Sequence, residues 1–208
     1  MELYFSPLAC STASRISIYE AGAEGETKLC QVDTRTKRII ADDSDYLAIN
    51  PLGQVPALRT ADGRILIENA AILSYLADRF PEARLGVPDT QRYELARWLS
   101  FVGAELHKQV FTPLLSHAAG DGARDFARAS AASRLAVLDR HLCDREYLLD
   151  HFSVADAYLI VVLNWAQFVQ IDLGPYPAVA AYVGRISARP SVARALREEL
   201  ALFHAARR

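Results

Sequence analysis

Met1-Glu2-Leu3-Tyr4-Phe5-Ser6-Pro7-Leu8-Ala9-Cys10-Ser11-Thr12-Ala13-Ser14-Arg15 is the stretch whose reading decides the fold. The apolar run Glu2–Phe5 predicts a strand, Pro7 marks a loop, and residues 11–21 predict a helix. A second β-like run over 27–32 completes a strand-helix-strand order. Parallel neighbours need a long crossover, and a helix supplies it. Runs at 57–60 and 64–67 flank Ala61-Asp62-Gly63, a tight-turn signal for an antiparallel hairpin. Residues 69–80 then read as a helix, with Ile72, Leu73, Leu76 and Phe80 near one face. The expectation is a mixed four-stranded sheet against helices over residues 1–80.

Residues 81–89 carry Pro81, Gly86 and Pro88 and read as a linker. Residues 90–208 read as an all-helical domain, with helices near 90–118, 123–142, 154–170 and 176–188 and a short one near 191–202. Gly120-Asp121-Gly122 separates the first two, and Gly174-Pro175 closes the third. No internal repeat or low-complexity tract is present in the sequence.

The chain has 208 residues, 51% of them hydrophobic, which is ample for a packed core. A net charge of -2 gives no footing for a nucleic-acid or anionic-membrane binder. Tyr158-Leu159-Ile160-Val161-Val162-Leu163 is too short to span a bilayer. The N-terminus lacks a basic stretch followed by a long apolar segment, so no signal peptide is read. Three widely spaced cysteines do not suggest a disulfide framework and suit a reducing compartment such as the cytosol.

Cys10 stands just before a predicted helix, where unpaired N–H groups and the dipole favour thiolate over thiol. A dithiol redox motif would need a second cysteine at the position held by Ala13, so that chemistry is excluded. A single thiol can still form a mixed disulfide with, or hydrogen-bond to, a small thiol. The alternative reading is a small buried hydrophobe.

In Asn50-Pro51-Leu52-Gly53-Gln54-Val55-Pro56, Val55-Pro56 immediately precedes a strand and is a candidate cis peptide. A cis bond there would turn the Val55 backbone outward to pair with a peptide-like ligand as an added strand does. An ordinary loop is the competing reading. Glu68-Asn69 opens a helix whose N-terminal amides can bind a carboxylate, with Glu68 available for an ammonium group; a plain cap with a solvated acid is the alternative.

Asp156, three residues after Ser153, reads as half of a capping box rather than as a catalyst. Ser100, Gly103, Ala104 and His107 share one helical stripe, three small residues beside an imidazole. Such a histidine can donate to a thiolate or relay a proton, or it can be a partly buried helix histidine. The other histidines show no i,i+4 metal pairing, and no Gly-rich nucleotide loop is present. No metal and no nucleotide are therefore expected.

Together these pieces resemble the glutathione S-transferase family, most closely its bacterial beta class. The resemblance runs through Leu3–Ser11, Leu47–Leu58, Glu68-Asn69-Ala70-Ala71-Ile72, Glu105-Leu106-His107-Lys108 and Ser153-Val154-Ala155-Asp156-Ala157-Tyr158, in that order. It implies a thioredoxin-like first domain, a helical second domain, a cytoplasmic homodimer and glutathione as co-substrate along the domain boundary. It implies that the Val55 backbone before Pro56 pairs with the cysteinyl part of the tripeptide. Gln54 joins the glutathione-binding set, and Glu68 and Asn69 hold the γ-glutamyl end. Cys10 faces the sulfur. His107 and Lys108 approach from the helical domain, Arg35 lies near the glycyl carboxylate, and Trp165 walls the pocket for an apolar electrophile. Asn69 stands where the family commonly has Ser, Arg35 where it has a lysine, and Ser100 where some relatives have Asn.

The implied activity is conjugation of glutathione to apolar electrophiles, as in detoxification, with thiol transfer through Cys10 as an added capacity. The alternatives are a non-catalytic glutathione- or ligand-binding protein and a glutathione-dependent isomerase or reductase, all of the same fold.

Overall fold

The computed structural model describes residues 1–205. The chain divides into two compact units: Met1–Gly86 together with the segment from Pro190, and Val87–Arg189. The last helix therefore groups with the first unit, although residues 90–208 read as one helical domain from sequence.

The first unit is built on β1 (Glu2–Phe5), α1 (Thr12–Glu20), β2 (Lys28–Asp33), β3 (Arg38–Ile39), β4 (Ala57–Arg59), β5 (Ile65–Ile67) and α2 (Asn69–Arg79). The sheet has five strands in the order β3-β2-β1-β4-β5, where four were expected. The extra strand, β3, has only two residues, too few for a period of two to register. Central β1 runs parallel to β2 (Leu3 opposite Leu29) and antiparallel to β4 (Leu3 opposite Leu58). β4 and β5 form the expected hairpin, with Gly63 at φ 85 in its turn.

Successive β1 side chains point to opposite faces, and both faces are covered. Leu3 and Phe5 pack with Ile18, Leu58, Ile72 and Leu76 on one side. Tyr4 packs with Cys30, Val32, Tyr46 and Ala57 on the other. The long C-terminal helix α9 (Pro190–Ala205) lies against α1, and its Leu202 reaches the Leu3 cluster. Arg15 of α1 pairs with Glu198 of α9 at 2.5 Å.

The second unit contains α3 (Arg92–Ser100), a π-helical stretch (Phe101–Phe111), α4 (Thr112–Leu115), α5 (Asp121–Leu142), α6 (Val154–Asn164), α7 (Ala166–Val169) and α8 (Pro177–Ser187). The single regular helix expected over 90–118 is thus interrupted by wider turns. Two local features accompany them. Pro113 has no N–H for the carbonyl four residues back, and Thr112 Oγ1 donates to the His107 carbonyl at 2.9 Å. The helix expected over 154–170 divides at Trp165 and ends at Gln170, which takes a left-handed φ of 57.

The capping box at Ser153 is present as expected. Asp156 is fully buried: Oδ2 accepts from the Ser153 N–H and hydroxyl, and Oδ1 from the Leu148 N–H and Tyr182 hydroxyl, all at 2.9 Å. Burial pushes its carboxyl upward while those donors pull it back. Among the described residues, no helix is long and apolar enough to cross a membrane.

Candidate functional site

The loop from β1 to α1 carries Cys10. Ser11 folds it on itself, donating to the Ser6 carbonyl at 3.2 Å and accepting from the Ser6 N–H at 3.3 Å. Cys10 is 8% exposed, and its Sγ donates to the Val55 carbonyl at 3.3 Å. This bond departs from the expected thiolate setting. α1 begins two residues after Cys10, at Thr12, and Sγ has a carbonyl acceptor. A thiol can make that bond and a thiolate cannot.

The Val55-Pro56 peptide is cis, as the sequence suggested. Asn50 shapes the turn before it. Its Oδ1 accepts from the Leu52 N–H at 3.1 Å, and its Nδ2 donates to the Gln54 carbonyl at 2.7 Å. The buried Tyr46 hydroxyl donates to the same carbonyl at 2.8 Å, and its burial raises its pKa. The Gln54 carbonyl is thus taken by two donors within the turn, while the Val55 carbonyl faces Cys10. The Gln54 residue is itself exposed.

Arg35 and Lys37 lie on the turn between β2 and β3. The Arg35 side chain is 90% exposed, with Asp33 at 4.0 Å. Lys37 Nζ reaches the turn and donates to the Gly53 carbonyl at 2.9 Å. Gly53, at φ 60, makes room for it: a Cβ there would lie 2.7 Å from Lys37 Cδ. Sequence reasoning missed Lys37. Three cations crowd residues 35–38, and the side that each takes depends on the turn into β3.

Glu68 and Asn69 open α2. Glu68 is exposed, takes a left-handed φ of 70 and makes no side-chain capping bond. A non-glycine residue held there costs backbone energy, which clusters at ligand sites. Asn69 is buried; its Oδ1 accepts from Ser14 Oγ at 3.4 Å, and its buried Nδ2 has no hydrogen-bond partner among the described residues. An unsatisfied buried donor is costly, so this Nδ2, beside helix N-terminal amides, is suited to an incoming carboxylate.

In the second unit His107 sits on the π-helical stretch, partly buried. Its Nδ1 lies 2.7 Å from the Tyr158 hydroxyl, and its ring meets Trp165 edge-on at 4.9 Å between centroids. Trp165 is buried and touches Phe111 at 6.0 Å. Burial, with Lys108 adding to it, drives the His107 pKa down to about 4. The ring is therefore neutral at physiological pH and keeps one N–H to donate. Lys108 itself is exposed. Tyr158 was not read as a partner from sequence; its place four residues past Val154 on an apolar helix resembles that of a core tyrosine. Among the described residues, no three His, Cys, Asp or Glu side chains are grouped to hold a metal ion.

Two family descriptions match the chain, overlapping over residues 66–79. Residues 9–79 match the family description "Glutathione S-transferase, N-terminal domain", and residues 66–190 match "Glutathione S-transferase, C-terminal domain". The glutathione S-transferase GstA of Escherichia coli O157:H7 is 39% identical over 202 residues, 96% of this chain and 98% of that one. A sphingomonad glutathione S-transferase complexed with glutathione superposes with a TM-score of 0.90 at 43% identity, over 96% of this chain and 98% of that one. The bacterial beta class enzyme of Sphingomonas chungbukensis gives 0.89 at 43%, over 96% of this chain and 98% of that one.

Proposed function

The chain belongs to the glutathione S-transferase family, and from that premise we propose that it binds glutathione and conjugates its thiol to apolar electrophiles. One observation carries the reading: Cys10 Sγ lies 3.3 Å from the Val55 carbonyl. A tripeptide paired with the Val55 backbone as an added strand brings its own cysteinyl N–H to that oxygen. The ligand N–H then takes over from the Cys10 thiol as donor, and the two sulfurs become neighbours.

The remaining residues take roles consistent with this. The Asn69 Nδ2 and the α2 amides receive the γ-glutamyl carboxylate, and the exposed Glu68 receives the ammonium group. Gln54 sits in the peptide-binding turn. The exposed Arg35 receives the glycyl carboxylate, and Lys37, which reaches this turn, adds a second cation. Free glutathione is mostly protonated at neutral pH, so catalysis requires donors that favour its thiolate. The neutral His107 supplies a hydrogen bond rather than a charge. Trp165, packed on that ring, forms an apolar wall for the electrophile, and Lys108 adds positive charge nearby in sequence. The reading carries with it a cytoplasmic homodimer acting in detoxification.

A second reading is thiol transfer, open once the ligand N–H has displaced Cys10 from the Val55 carbonyl and freed its sulfur. The Cys10 thiolate attacks the glutathionyl sulfur of a mixed disulfide between glutathione and another thiol, takes the glutathionyl group and expels the other thiolate. A glutathione thiolate then attacks the Cys10 mixed disulfide, releases oxidised glutathione and restores Cys10, so the other thiol is reduced and two glutathiones leave as their disulfide.

One experiment separates the readings. The protein is incubated with oxidised glutathione and examined by peptide mass spectrometry, beside a conjugation assay with glutathione and a chloronitroaromatic electrophile. Conjugation that survives Cys10→Ala supports the transferase. A glutathione adduct on Cys10 without conjugation supports thiol transfer. Neither product, with no calorimetric binding of glutathione, sinks both.

A further inference from the structure

The neutral His107 ring carries one proton between its two nitrogens, and which nitrogen holds it decides what the residue can do. With the proton on Nε2, the ring offers a donor there. With the proton on Nδ1, Nε2 offers a lone pair, which repels a thiolate. Nδ1 lies 2.7 Å from the Tyr158 hydroxyl, and Nε2 has no hydrogen-bond partner among the described residues.

The Nδ1–Tyr158 bond can run either way, and the chemistry of the two groups decides its direction. A phenol, with a pKa of about 10, donates its proton far more readily than a neutral imidazole N–H, and an imidazole nitrogen, whose conjugate acid lies at about 6.5, accepts far better than a phenol oxygen. The separation agrees, since 2.7 Å is a common length for a hydroxyl donor and the short end for an N–H donor. Packing holds both partners. Tyr158 is buried on α6, two residues after the Asp156 of the capping box that starts this helix. Its ring stands at 88° to the imidazole, 6.0 Å between centroids, and Trp165 flanks the imidazole at 4.9 Å. On the π-helical stretch, Gly103 precedes His107 by four residues, and a Cβ there would lie 3.7 Å from the Tyr158 hydroxyl. The bare glycine leaves that hydroxyl its room.

We propose that Tyr158 is a positioning residue for His107: its hydroxyl donates to Nδ1, keeps the ring proton on Nε2 and fixes the direction in which that N–H points. Turning the ring over would bring a carbon, which cannot accept, to the hydroxyl. The proposal rests on the reading of His107 as a hydrogen-bond donor in the glutathione site and names the residue that makes it one.

The test reads the ring nitrogens directly and contains no glutathione, so it is decided apart from the proposed function. Long-range proton–nitrogen NMR on isotope-labelled protein at neutral pH distinguishes a bare ring nitrogen from a protonated one. In the parent protein, His107 Nδ1 should resonate as the bare nitrogen and Nε2 as the protonated one. Tyr158→Phe, which removes the donor and keeps the aromatic ring, should move both toward the average of the two tautomers. A protonated or averaged Nδ1 in the parent, or nitrogen shifts unchanged in Tyr158→Phe, overturns the proposal. In the conjugation assay, Tyr158→Phe should lower kcat by about threefold or more, the bias that one hydrogen bond supplies, with glutathione affinity by calorimetry unchanged. In a His107→Ala background the same substitution should cost nothing further, because Tyr158 acts through the imidazole. An equal loss in both backgrounds would make Tyr158 structural and overturn the proposal. If the parent conjugates nothing, the proposed function fails and the spectra still decide the role of Tyr158. If Tyr158→Phe does not fold, the parent spectrum decides alone.

Discussion

At the residue scale, His107 and Asn69 turn burial into chemistry. A histidine at about pKa 4 does not titrate where enzymes work. His107 should therefore add no inflection between pH 6 and 8 to the rate of glutathione conjugation, and an NMR titration of its ring should show the neutral form down to pH 5. His107→Ala should lower kcat/KM by tenfold or more, in line with the ~10²–10⁴ that such groups contribute. An equal loss of folding stability and rate would make the histidine structural. For Asn69 the orphan Nδ2 is the handle. Asn69→Asp places a carboxylate where the ligand's carboxylate should sit, and glutathione affinity by calorimetry should fall about tenfold or more, ~1.4 kcal/mol. Asn69→Ser keeps a donor and should bind within a few-fold of the parent. Unchanged affinity in Asn69→Asp would move the γ-glutamyl end elsewhere. Cys10, Val55, Glu68 and Asn69 were legible from sequence because each sits at a boundary between elements, where turn and cap chemistry leaves a local signature. Lys37 and Tyr158 were not, because each acquires its role only from a contact distant in sequence.

Elements were legible in proportion to their length and regularity. β1, α1, the β4–β5 hairpin and α2 lie within a residue or two of where periodicity puts them. The two-residue β3 and the π-helical stretch carry no periodic signal of their own. α9 is the instructive case. Its buried positions are Val192, Ala195 and Glu199, spaced three and four apart, so the acid occupies the apolar stripe. A charged residue on such a stripe signals a buried partner. The α6 start makes the opposite point, since Ser153 and Asp156 disclosed their structural role locally. Asp156→Ala strands the Leu148 and Ser153 amides and the Ser153 and Tyr182 hydroxyls in the interior. Urea denaturation should show a loss of roughly 3–5 kcal/mol, from four buried donors at ~1–3 kcal/mol each with partial rescue by water. The glutathione affinity of the protein that remains folded should be unchanged. A loss below 1 kcal/mol would mean that the cluster is not dry.

For the whole molecule, the two compact units carry buried titratable groups of opposite sense. In the first unit, Glu199 is raised from 4.5 to about 7. Between those values the unfolded chain holds fewer protons than the folded one, so stability is greatest below 4.5 and falls as pH rises toward 7. In the second unit, His107 is lowered from 6.5 to about 4. There the folded state holds fewer protons, so stability is greatest above 6.5 and falls as pH drops toward 4. Each shift corresponds to roughly 3 kcal/mol at its limit, and about 2 kcal/mol lies between pH 7 and 5. Hydrogen exchange reads the units separately, on β1 amides for the first and α6 amides for the second. Acidification from pH 7 to 5 should raise the opening free energy of β1 and lower that of α6, each by about 2 kcal/mol. Glu199→Gln should abolish the first change and leave the second, and His107→Asn should do the reverse. Were both sets of amides to move together in the parent protein and in both variants, neither group would control its unit. The pH sensitivity would then belong to Glu2, Asp62 and Glu198, which hydrogen bonds from Tyr4, Thr60 and Tyr19, with Arg59, Arg64 and Arg194 adding to them, hold below their usual range, and whose stability contribution is lost only as pH falls below about 4.5.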